Sequence, residues 1–92
     1  MERAEAEETG VAALAFLAEE PGRLGRFLSL SGLAPGDLVT QAGEAHMLAA
    51  ILAHVLADES LLLVFAAEKR VDPERVAPAQ ALLEGGAFYD EG

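Results

Sequence analysis

Val11, Leu14, Ala15 and Ala18 recur at the i, i+3, i+4, i+7 spacing of one helix face, and Glu2, Glu5, Glu7 and Glu8 crowd the stretch before them. Negative charge suits the start of a helix, so the pattern predicts a first helix over residues 2–19 with that stripe buried. Phe16 falls off the stripe and belongs against a second neighbour rather than water. Pro21-Gly22 interrupts the period. A second helix occupies 22–31, with Leu24, Phe27 and Leu28 inward and Arg23 and Arg26 on one edge. Gly32 is placed to take the left-handed conformation that ends helices at little cost. Pro35 opens a short third helix, 35–42, anchored by Leu38 and closed by Gly43.

Residues 44–57 make the fourth helix. Met47, Leu48, Ile51, Leu52, Val55 and Leu56 fill about half its circumference, and Ala49, Ala50, Ala53, Ala57, His46 and His54 fill the rest. No charged residue lies between Glu44 and Asp58. A helix without a charged face is central in the fold or covered in an oligomer. The fifth helix, 59–70, is built on Leu61, Leu62, Val64 and Phe65. Asp72-Pro73-Glu74 is a start signal for a sixth, which runs to about Leu83. Gly85-Gly86 is expected to stop it and to leave 85–92 as a frayed tail. The fold class is therefore all-α: a single domain over 1–92, ordered over about 4–84, of five to six short helices.

A shift of 38 residues superposes the punctuation. Leu14 falls on Leu52, Leu24 on Leu62, Phe27 on Phe65, Leu33 on Val71, Pro35 on Pro73 and Leu38 on Val76. Either the domain is two related three-helix halves, with helices one and four in equivalent roles, or two hairpins have converged on similar rules.

Charge narrows the partners. The chain has 6 Lys and Arg against 16 Asp and Glu, a formal charge of −10. Only residues 21–43, with Arg23, Arg26 and Asp37, are net positive. Acidic surfaces repel phosphate backbones and anionic lipid. The stretch "RLGRFLSLSGLAPGDL" reads as helix, turn, helix, yet the second helix, "PGDLVTQA", has no Lys or Arg for base edges or phosphates. A structural helical corner is the better reading, and nucleic acid is a poor partner. There is no cysteine, which excludes disulfides and thiolate chemistry. The apolar runs fall short of the ~20 residues that span a bilayer. The acidic start is unlike a signal peptide. A cytoplasmic protein without membrane contact is expected.

The run "FLAEEPGRLGRFLSLSGLAPGDL", with "LADESLLLVFAA" and "VDPERV" after it, resembles a family of small alphaproteobacterial helical proteins, domain of unknown function 3572, over roughly residues 11–83. The resemblance implies no activity, cofactor or catalytic residue. It also implies a basic residue after the Pro-x-Asp-Leu turn, where this chain has Val39, and an aromatic where it has His54.

Candidate chemistry is sparse. His54 and Asp58 are four apart, but two ligands are too few for zinc. Asp58-Glu59 reads as a helix cap rather than an acid–base pair. The serines lack a base and orienting acid. No catalytic residue, cofactor or metal is expected. Arg23, Arg26, His46 and His54 remain as candidate partner-binding residues, with Arg23 and Arg26 alternatively pairing with Glu19, Glu20 or other acids. The expected function is a non-enzymatic interaction or accessory domain with a protein partner or self-association. The alternatives are a DNA-associated regulator using 23–42 and a small-ligand carrier or enzyme with a pocket between the halves.

Overall fold

Six helices and a 3-10 turn succeed one another with no strand in a computed structural model that describes residues 1–89, and side chains through 85. They are α1 (Arg3–Ala18), α2 (Pro21–Ser31), α3 (Pro35–Gln41), α4 (Ala45–Leu56), α5 (Glu59–Lys69), the turn Pro73–Arg75 and α6 (Val76–Tyr89). The charge-free α4 is central, packed on α6, α1 and α5. Met47, Leu48, Ala49, Ile51, Leu52 and Val55 are all buried there. The shortest dimension, 18 Å, fits two layers of helices each about 10 Å across. Among the described residues no buried side-chain nitrogen or oxygen lacks a partner.

Local chemistry sets the ends. Glu5 reaches back to the Glu2 amide, 2.9 Å away. Asp58 accepts from the Leu61 amide, capping α5, and Asp72 accepts from the Glu74 amide, capping the turn that leads into α6. No single described helix is long and apolar enough to cross a membrane, and α4 and α5 meet at 113°.

The 38-residue offset is written into the backbone. α1 ends at Ala18 and α4 at Leu56; α2 spans Pro21–Ser31 and α5 spans Glu59–Lys69; Pro35 and Pro73 open the next elements. Gly32 and Arg70, also offset by 38, are the positive-φ residues among those described, at 77° and 56°. Contacts exchange as well. Phe16 meets Phe65 with ring centroids 5.4 Å apart, and the equivalent positions, His54 and Phe27, meet at 5.2 Å. An internal two-fold relation produces such exchanged pairs. Equivalent residues touch only at its axis, and there Gly10 lies against Leu48, whose Cβ would be 2.8 Å from any Cβ added to the glycine. α6 breaks the symmetry: it continues for 14 residues where α3 stops after 7.

Three expectations need correction. The buried face of α1 is Ala6, Gly10, Ala13, Phe16 and Leu17, while Val11, Ala15 and Ala18 are exposed. The period is helical but the phase differs, because close approach to α4 selects small residues that hydropathy does not rank. Val64 is exposed rather than core, and Ala66 takes its place beside Phe65. α6 passes through Gly85-Gly86 to Tyr89, since glycine costs a helix only about 1 kcal/mol. The rest of the expected tail, 90–92, lies outside the described residues.

Candidate functional site

Arg23 and Arg26 have different fates one turn apart on α2. The Arg23 guanidinium lies 4.0 Å from the centre of the Phe16 ring. It pairs with Glu20 and Glu68 at 3.5 and 3.6 Å, with only 18% of its side chain exposed. Lys69 pairs with Glu19 beside it. Together these side chains close the groove between α1 and α5 above Phe16 and Phe65. Arg23 is a structural clamp.

The equivalent groove, between α4 and α2, is open. Phe27, Leu30, Ser31, Ala50, Ala53 and His54 line a hollow of about 250 Å³. The offset explains why. His54 stands where the closed groove has Phe16, Leu30 where it has Glu68, Ser31 where it has Lys69, and Ala57 where it has Glu19. Every ionic tie across the closed groove is absent from the open one. Leu30 is left 68% exposed. Arg26, a turn before Leu30, makes no ion pair among the described residues, although it is close enough to act on His54.

The His54 imidazole is held below its ordinary value, first by partial burial and then by the Arg26 guanidinium, against an opposing pull from Asp58. The native chain thus takes its proton at lower pH than the unfolded chain, whose value is about 6.5. Stability from His54 is complete above that point and is lost as pH falls through the lowered native value. Urea melts are expected to show this loss as pH falls below about 6.5. His54→Phe should remove most of it and, by filling the groove with a full ring, stabilise the chain by about 0.5–1.5 kcal/mol.

His46 is elsewhere. Its ring meets Gln41 at 2.7 Å and borders a separate hollow of about 290 Å³ with Arg3, Glu44, Leu83 and Glu84. The fold therefore brings Arg26 and His54 together and leaves Arg23 and His46 apart from them. Asp58 caps α5 and does not line the groove. Among the described residues no three His, Asp or Glu side chains are placed to hold a metal ion. Leu30 is the groove residue that sequence reasoning missed. Its only signal in the sequence is the departure from Glu68 at the offset position, which matters only once the groove is seen.

Neither a curated protein nor a solved structure matches the chain. Residues 3–86, nearly all of it, match one family model, so the chain belongs to the family described as protein of unknown function (DUF3572).

Proposed function

We propose that this protein is a non-enzymatic interaction domain whose α2/α4 groove receives an acidic amphipathic helix from a protein partner. The observation that carries the reading is the open groove itself, with Leu30 exposed beside Phe27 and His54 where the equivalent groove is clamped shut. Charge selects the occupant. The closed groove has Glu19, Glu20 and Glu68 on its rim, whereas the equivalent positions by the open one are Ala57, the α5 cap Asp58 and Leu30, with Arg26 a turn before Leu30. On a chain of charge −10, an incoming carboxylate would meet here a cation that has no ion pair among the described residues. An aliphatic side chain would cover Leu30 and the rings, and a carboxylate one helical turn away would reach Arg26.

Duplex DNA fits worse. α3 has no Lys or Arg, and Arg23 is already engaged, so few phosphates would be neutralised.

The test titrates the protein into a fluorescent synthetic helix with leucine and glutamate on one face and monitors anisotropy. Parallel arms use the lysine-for-glutamate helix and a duplex oligonucleotide at low salt. The glutamate helix is expected to bind best, and Arg26→Glu or Leu30→Asp to weaken it at least about tenfold, or about 1.4 kcal/mol. Equal binding by the lysine helix or DNA, or an affinity indifferent to both variants, rejects the reading.

A further inference from the structure

His54 is the one ionisable side chain among the described residues that line the α2/α4 groove. The closed groove shows how a ring at this position is covered. There the Arg23 guanidinium lies over the Phe16 ring at 4.0 Å, and Glu20 and Glu68 lie 3.5 and 3.6 Å from that guanidinium. Ring, cation and carboxylates stack in that order. At the offset positions the open groove has His54 for Phe16, Leu61 for Arg23 and Leu30 for Glu68. Asp58, in the place of Glu20, accepts from the Leu61 amide as the α5 cap. The ring remains, but the cation above it is gone.

An imidazole differs from a phenyl ring in becoming a cation close to neutral pH. A proton on His54 would restore within the ring the charge that Arg23 supplies above Phe16. A carboxylate on the docked helix would then take the part of Glu20 and Glu68. Without an occupant the proton is disfavoured, first by partial burial and then by Arg26 on α2, while Asp58, where α4 meets α5, pulls the other way. A carboxylate that reaches Arg26 offsets its repulsion. It also offers the imidazolium an opposite charge, which favours the protonated form within about 4–6 Å. The apolar side chain that enters with it buries the ring further and opposes this effect. His54 is only half-buried beforehand and faces an open groove, so the charge contact is the larger of the two.

We infer that the groove binds its acidic helix together with a proton taken up on His54, so that the complex tightens as the medium turns mildly acidic. This regulation rests on the groove being the docking site. One linked proton changes affinity by at most about tenfold per pH unit, and binding is expected to tighten at least about threefold from about pH 7.5 to about 5.5. Acidification also lessens the general repulsion between an acidic ligand and a chain of charge −10. The second of the two histidines, His46, controls for that, because its ring meets Gln41 and borders a different hollow.

Anisotropy of the leucine–glutamate helix is read at about pH 7.5, 6.5 and 5.5 in about 0.15 M salt, with circular dichroism confirming the fold at each. The native chain and His46→Gln should both gain affinity. His54→Gln should lose the gain, and the lysine-for-glutamate helix should show none. Proton NMR of the two imidazole C–H signals, assigned with His46→Gln, reads the same event with His54 intact. Its midpoint should lie below about 6.5 in the free chain and rise when the glutamate helix is added. Equal affinity at the three pH values, a gain that survives His54→Gln, or a His54 midpoint that the bound helix leaves unchanged or lowers overturns the linkage and leaves the groove standing. A glutamate helix that binds at none of these pH values removes the docking reading and the linkage with it.

Discussion

Phe65→Ala is expected to remove about 3–5 kcal/mol of stability, a large part of what a domain of this size possesses. Phe65 is fully buried on α5 and its ring is tilted at 59° against Phe16, 5.4 Å away. That pair joins the first half of the chain to the second. Phe16 in turn carries the Arg23 guanidinium, and Arg23 carries the ties to Glu20 and Glu68. The variant thus creates a cavity and also loosens the floor on which the clamp stands. The exposed ion pairs add little by themselves, typically under about 1 kcal/mol each. Arg23→Met is accordingly milder, because an aliphatic stem still covers the ring. Chemical melts of the two variants separate these contributions. A loss below about 1 kcal/mol for Phe65→Ala would mean that the halves are not joined through this ring pair.

The elements were legible because their ends are chemical. Proline at 21, 35 and 73, glycine at 32 and caps at 58 and 72 each mark a boundary that the backbone respects. The face of α4 was legible because bulky and small residues segregate around it. α1 offered no such contrast: alanine lies on every side, so its phase is set by Gly10 meeting Leu48, a contact between distant parts of the chain. Gly85-Gly86 misled for the opposite reason, being read as a stop where the cost of continuing is small. The candidate site was half visible. Arg26 and His54 stood out by residue type, but Arg23 looked like their companion because helical spacing does not reveal which neighbour an arginine has found. The offset carried more than its identities suggested. Phe16 and His54 share a position without sharing chemistry, and only the exchanged ring contacts show that they do the same structural work.

Gly10→Ala provides the sharpest test of the internal axis, because the sign of its effect is opposite to the usual one. Replacing glycine by alanine inside a helix ordinarily stabilises by about 0.5–1 kcal/mol. Gly25→Ala, in open space on α2, should do so. At Gly10 the new methyl would lie 2.8 Å from Leu48 Cβ and 3.3 Å from its Cγ, closer than packed carbon atoms approach. Leu48 is itself buried on the central helix, with no room to swing aside as a surface side chain would. α1 and α4 must therefore separate, and overpacking of this kind costs about 1–3 kcal/mol, outweighing the propensity gain. Leu48→Ala removes the chain beyond Cβ and costs about 2–5 kcal/mol alone, yet it relieves the Cγ contact that the new methyl makes. The double variant should be less destabilised than the two losses added, by at least about 0.5 kcal/mol. Additive losses, or a Gly10→Ala variant more stable than the parent, would show that α1 and α4 do not cross at these two residues, and the exchanged contacts would lose their common axis.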